Sequence, residues 1–259
     1  MSAPTPPKIS GAGMLYVVSR IASKDMSEET YLKWYEEDHI AEIMQTSGIK
    51  SAVRFKNTNL DADKPYMVMY PMEDLGFTQG EEFKKIKVHS NILPGGGPIY
   101  DLADIDVRYY SLTQTYDPKG PTKPGKVKLI NTAGLSPNET ISDNEFDNWY
   151  RQEHLDELAK VPGYLRSTRY NLQYYRTNAQ SRALKGLPAR AEDIAIKTPP
   201  RFFAVHEFDT DDIDIKALMA TVETDWSKRI MGNLAEPFEG NFWALKGSFG
   251  DKTFFQEAR

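Results

Sequence analysis

Trp34-Tyr35-Glu36-Glu37-Asp38-His39 decides how this chain is read, because Trp149-Tyr150-Arg151-Gln152-Glu153-His154 repeats its Trp-Tyr-x-x-acid-His pattern. The offset is 115 residues (149 − 34), and it also carries Ser27 onto Ser142, Tyr31 onto Phe146, Gly48 onto Gly163 and Arg54 onto Arg169. A register kept without a gap over this span points to an internal duplication. A repeat has to be read before any fold, since missing it mis-assigns the architecture.

Working outward, the first copy sits on a helix expected from about Ser27 to Thr46. Ser27-Glu28-Glu29-Thr30 supplies a capping-type start, and Gly48 follows the end. Tyr31, Tyr35, His39 and Ile43 recur every four residues, so an α-helix would carry them on one stripe. Before the helix, Met14 to Ser19 reads as a strand. After it, Ser51 to Phe55 and Tyr66 to Tyr70 read as two more, then a helix over Gln79 to Val88 and a strand over Ile105 to Leu112. Strand, helix, strand, strand, helix, strand is the order of a ferredoxin-like domain.

The second half repeats the order. Val127 to Leu135 is its first strand, Ser142 to about Lys160 its motif helix and Ser167 to Tyr170 its second strand. Arg201 to His206 then matches Pro65 to Tyr70 at an offset of 136 (201 − 65), which leaves 21 inserted residues (136 − 115). The insert lies at about 171–200, carries Arg176, Arg182, Lys185 and Arg190, and is either a lid over the second pocket or a solvated loop. Asp214 to Lys228 reads as a helix and Gly240 to Leu245 as the last strand. The expected organisation is a leader (1–13), a first repeat (14–117), a linker (118–126), a second repeat (127–249) and a tail (250–259).

Composition narrows the class of function. The 259 residues, 40% hydrophobic and 12% aromatic, can bury two domain-sized cores. A net charge of −5 argues against a general phosphate-binding surface, and so against nucleic acid as a partner. No apolar run approaches the roughly 20 residues that span a bilayer, and residues 1–7 lack a secretory pattern. The expectation is a cytoplasmic protein with no membrane partner. The absence of cysteine excludes disulfides, thiolate nucleophiles and cysteine-ligated metal centres. Asp101, Asp104 and Asp106 lack the spacing of a calcium loop, Pro94 to Pro98 lacks the Lys-Ser/Thr of a phosphate loop, and the four histidines lie on distant elements, so no metal site is expected.

On the two motif helices and the βαββαβ order, the chain resembles the EthD-like members of the dimeric α+β barrel superfamily, in their tandem fungal form. Leu93-Pro94-Gly95-Gly96-Gly97-Pro98-Ile99-Tyr100-Asp101 is similar to a loop of those tandem forms. The resemblance implies an α+β fold in which two tandem ferredoxin-like repeats form an intramolecular pseudo-dimeric barrel, with a pocket between sheet and helices in each half. Relatives include cyclases, isomerases, cofactor-free monooxygenases and haem enzymes, so the fold leaves the activity open.

The residues suited to chemistry are His39, His154 and His206. Imidazole exchanges protons near neutral pH, and a histidine lining an apolar cavity can act as a base towards a carbon acid. His206 stands where the first half has Tyr70, so the halves differ chemically at that position. The expectation is that His154 and His206 lie within about 7 Å of each other around a cavity of a few hundred cubic ångströms. Each histidine equally fits a packing role. Trp34, Tyr35, Tyr70, Trp149, Tyr150 and Arg169 are the expected pocket wall, with Arg54 and Arg169 able to pair with Glu36, Glu37 or Glu153. The functional expectation is a small-molecule enzyme that needs no cofactor and moves a proton on an apolar carbonyl or phenolic compound, as in a polyketide-like cyclisation. A non-catalytic ligand-binding or stress-related barrel and a monooxygenase are the alternatives, and pairing with a second copy stays open.

Overall fold

A computed structural model describes residues 7–120, 125–188, 190 and 198–251. The first six residues of the expected leader, linker residues 121–124, insert residues 189 and 191–197 and tail residues 252–259 lie outside the described residues. The strands are β1 (Gly13–Ile21), β2 (Ser51–Asn57), β3 (Tyr66–Met72), β4 (Ala103–Tyr116), β5 (Leu129–Leu135), β6 (Tyr164–Arg176), β7 (Phe202–Phe208) and β8 (Glu239–Gly250). They run in the order β1-β3-β2-β8-β5-β7-β6-β4 as a closed barrel, which makes the fold α+β. The described residues divide into two units: 7–111, 172–188, 190 and 246–251 in one, and 112–120, 125–171 and 198–245 in the other.

In the first unit β1 lies between β3 and β4, antiparallel to both, and β3 pairs in turn with β2. Alternate residues of a strand face opposite sides. Tyr66, Val68, Tyr70 and Met72 of β3 therefore join the core beneath the helices, together with Tyr31, Trp34, Tyr35, Ile40 and Ile43. The second unit repeats this. There β5 lies between β7 and β8, and β7 pairs with β6 across an irregularity between Tyr164 and Arg166. Ala204 and Phe208 of β7 pack with Phe146, Trp149, Tyr150, Leu155 and Leu158.

The motif helices start as the sequence indicates, with Ser27 accepting from the Thr30 amide and Ser142 from the Glu145 amide. Their interiors differ from a plain α-helix. In the first, Glu28–Lys33 is α-helical, Trp34–His39 is π-helical and Ile40–Ile43 is α-helical again. The second follows suit, with a π-helical stretch over Tyr150–His154 between Asp143–Trp149 and Leu155–Leu158. In each, the amide after the histidine donates five residues back, Ile40 to Tyr35 and Leu155 to Tyr150.

Two expected helices are shorter than the sequence reading. Residues 79–88 give only a 3₁₀ turn ending at Gln79 and one turn over Glu81–Lys84, because Gly80 between them is extended. The expected helix over residues 214–228 is two, Ile215–Ala220 and Asp225–Met231, because the Thr224 hydroxyl caps a fresh start by accepting from the Ser227 amide. The turn expected at Pro94 to Pro98 is present, with Gly95, Gly96 and Gly97 all at positive φ, a region open to glycine without steric cost.

Candidate functional site

The π turn places both motif histidines. Around an α-helix, residues five apart point about 140° away from one another. With hydrogen bonds running five residues back the turn is wider, and residues five apart come round to the same side of the helix. His39 accordingly stacks on Trp34, ring centroids 4.8 Å apart and planes at 17°, and His154 stacks on Trp149 at 4.2 Å and 16°. The motif tyrosines meet the same imidazoles edge-on, Tyr35 at 5.5 Å and Tyr150 at 5.3 Å. The expected four-residue stripe is thus corrected at one point: the histidine's stacking partner is the tryptophan five residues back.

In the second unit the strand histidine joins this group. His206 is 2% exposed, and its ring stands at 85° to that of His154 with centroids 6.4 Å apart. Its Nδ1 lies 2.7 Å from the Ser167 hydroxyl, and Ser167 lies 2.6 Å from the Tyr164 hydroxyl. All three side chains are buried. Trp149 is fixed by donating from its indole nitrogen to the Ser227 hydroxyl at 3.0 Å. Arg169 lies across the Tyr150 ring, its guanidinium carbon 4.1 Å from the centroid, and donates to Asp147 at 2.9 Å and to Gln114 at 2.6 Å. The carboxylate partner of Arg169 is therefore Asp147. Glu153 instead accepts from the Thr224 hydroxyl at 2.6 Å.

These histidines are held neutral. Burial pushes the His154 pKa down to about 4, with Arg169 adding to the effect and a hydrogen bond to the Thr221 backbone opposing it. Burial also takes His206 down to about 3, helped by the nearby His154 and Arg169. His154 Nδ1 is buried without a hydrogen-bond partner. With the ring proton on Nε2, Nδ1 carries a free lone pair.

The first unit gathers His39, Trp34, Tyr35 and Tyr70. Burial lowers His39 to about 4, opposed by Asp38. Tyr70 is 2% exposed and interacts with the Tyr35 hydroxyl. Arg54 pairs with Glu36, one of its expected partners. Where the second unit has Tyr164 and Ser167, the 115-residue offset gives Ile49 and Ala52, so the first unit has no counterpart of that hydroxyl chain. Tyr164 and Ser167 were not singled out in the sequence. Two hydroxyls in a strand carry no periodic signal, although the Ala52/Ser167 difference across the repeat was available.

The insert lies elsewhere than expected. Its helix Asn178–Leu184 hydrogen-bonds within the first unit, where Asn178 and Arg182 donate to the Tyr100 carbonyl, each at 3.2 Å. A surface depression of about 760 Å³, lined by Asn138, Glu139, Ile141, Asp143 and Arg201 among others, contains none of the expected site residues. Among the described residues, no three His, Asp or Glu side chains gather as metal ligands, and no helix is long and apolar enough to cross a membrane.

Fold and site define the class: an α+β protein built on a closed eight-stranded barrel, with a histidine stacked on a tryptophan in each motif helix. No family model matches the chain. Core atranone cluster protein 1 of the fungus Stachybotrys chlorohalonatus is 28% identical over 200 residues, covering 76% of this chain and 82% of that protein. An anthrone oxidase-like protein has a similar structure, with a TM-score of 0.55 at 15% identity over 96% of this chain and 95% of that one. A protein of Fusobacterium nucleatum provisionally named a monooxygenase gives 0.54 at 13% identity, covering 93% and 95%. At such identities the structural likeness shows the fold alone.

Proposed function

We propose that the chain is a small-molecule enzyme that moves a proton on a carbonyl or phenolic compound, with the second unit as its reactive half. The observation that carries this reading is the pairing of two neutral imidazoles, His154 with a free Nδ1 lone pair and His206 held by Ser167. With Tyr164 donating a hydrogen bond to Ser167 and Ser167 donating to His206 Nδ1, the neutral His206 carries its own proton on Nε2. His206 then donates to the substrate oxygen while His154 Nδ1 accepts the proton from carbon. The negative charge develops on that oxygen, and returning the proton at a different carbon completes an isomerisation. His154, with a pKa of about 4, is a weak base in the empty site, and the developing oxyanion strengthens it by favouring its charged form. Trp149, Tyr150 and Arg169 hold the base, and His39 with Trp34, Tyr35 and Tyr70 forms the matching wall of the first unit.

On this reading the chain is a tandem, internally duplicated EthD-like form, cytoplasmic, with domain limits near those of the repeat. The name of the fungal relative, which refers to a core atranone cluster, agrees with a small-molecule substrate. The names of the structural neighbours favour a second outcome, in which the same carbanion meets dioxygen. Anthrone in deuterated buffer tests both. The protein should accelerate exchange of the methylene hydrogens, and His154→Ala should remove at least a hundredfold of that acceleration, the usual scale of acid–base catalysis. Oxygen uptake above the blank would assign the oxidative outcome. Exchange no faster with protein than without would end the proton-transfer reading.

A further inference from the structure

The four basic side chains of the insert that lie among the described residues have different surroundings. Arg182 is buried against Asp101 and the Tyr100 and Pro188 carbonyls, and Arg190 pairs with Asp101 at 2.9 Å. Lys185 donates to the Lys84 and Ile86 carbonyls, each at 2.9 Å. Arg176 has no carboxylate partner among the described residues. Its guanidinium carbon lies 5.5 Å from the centre of the Tyr109 ring, and its Nε is buried with no hydrogen bond. A half-buried guanidinium without a counter-ion is costly, and here it is the Tyr109 side chain, through its ring and a hydrogen bond, that faces the charge.

The neighbours of Arg176 are aromatic. Its charge acts on Tyr100, Tyr109 and Tyr174, and the Tyr109 and Tyr174 rings are 5.4 Å apart at 46°. It also acts on Lys185, whose own charge reaches His39. His39 Nδ1 is another buried polar atom of this unit without a hydrogen-bond partner. Two carboxylates border the group: Asp38 acts on His39, and Glu42, which accepts from the Lys87 amide at 3.1 Å, acts on Lys185. Neither is a partner of Arg176. His39, Tyr100, Arg176 and Lys185 are each only partly buried.

A guanidinium bordered by ring faces suits one ligand chemistry, a flat aromatic body bearing a negative oxygen. We propose that the first unit is a binding site for an aromatic anion, a ring-borne carboxylate or ionised phenol, with Arg176 taking the charge and Tyr100, Tyr109 and Tyr174 receiving the ring. The site is separate from the histidine pair of the second unit and does not rest on the proton-transfer reading.

The probes are 2-naphthoate and its neutral isostere 2-naphthamide, titrated calorimetrically into the full chain. Naphthoate should bind saturably, and Arg176→Met should weaken it about ten- to a hundredfold, the worth of a charge-assisted hydrogen bond. Naphthamide affinity should stay within about twofold in that variant, which separates loss of charge recognition from loss of fold. Arg176→Lys should restore part of the naphthoate affinity, and His154→Ala should leave it unchanged. The proposal is overturned if wild-type protein shows no saturable naphthoate binding, if Arg176→Met leaves that binding intact or weakens both probes alike, or if His154→Ala is the variant that abolishes it.

Discussion

The two units place the same stacked pair, tryptophan against histidine, under the same kind of sheet, and then differ at one strand position. In the second unit that position is His206, supported by Ser167 and Tyr164; in the first it is Tyr70, with Ala52 and Ile49 where the hydroxyls would stand. The difference separates what the motif helix supplies to both units from what the strands supply to only one. Identical helix geometry serves a unit with a two-histidine cluster and a unit with one histidine, so reactivity has to be sought in the strands. The arginine pair makes the same point. Arg54 pairs with Glu36, on the motif turn, whereas Arg169 pairs with Asp147 and lies on Tyr150.

The largest effect expected from breaking this comparison comes from the tryptophans. Trp149 is fully buried and bonded to Ser227, so Trp149→Ala should cost about 3–5 kcal/mol in urea unfolding. Trp34→Ala should cost less, since no matching indole hydrogen bond is seen. A larger loss at Trp34 would mean that the Trp149–Ser227 hydrogen bond does not set the difference between the two tryptophans. Next comes the strand swap. His206→Tyr makes the second unit resemble the first and should lower anthrone exchange at least a hundredfold, about 2.7 kcal/mol of barrier. Tyr70→His should confer nothing, because Ala52 cannot orient the new ring. Activity gained by Tyr70→His would mean that the hydroxyl chain is dispensable.

The smallest effect is a slope. His39, His154 and His206 have folded pKa values of about 4, 4 and 3 against an ordinary 6.5, so the unfolded chain takes up protons first as pH falls. Stability should therefore be full above about pH 6.5 and should fall with acid through the window down to about 3, where the folded histidines also protonate. His206→Tyr should remove about one proton from the slope of unfolding free energy against pH in that window. An unchanged slope would mean that His206 is not held neutral.

Much of the fold was legible because it rests on patterns that survive in sequence. The repeat offset, the Ser27 and Ser142 caps and the β-branched and aromatic strand runs are local signals, and the eight strands lie where those signals put them, lengthened at several ends. The helices of residues 79–88 and 214–228 were less legible, because a single extended glycine and a single capping threonine decide where the turns stop. Of the candidate site, the histidines and their aromatic neighbours could be named from the motif. The Ser167–Tyr164 chain and the destination of the insert could not, since each depends on contacts between residues far apart along the chain or without periodicity. Arg182 meets Tyr100 across 82 positions, and no spacing rule connects them.

The π turn also makes the motif sensitive to chain length. It holds one residue more than an α-helical turn of the same rise, so a single deletion between Trp34 and His39 could be absorbed by the helix, which would relax to ordinary α geometry. The histidine would then stand four residues from the tryptophan, still near it, but with a different tilt and its lone pairs aimed elsewhere. A point substitution changes which group is presented to the site. A one-residue deletion would keep the group and change its direction, so the orientation of the histidine can vary through the count of residues in one turn, with every side chain of the motif conserved in kind.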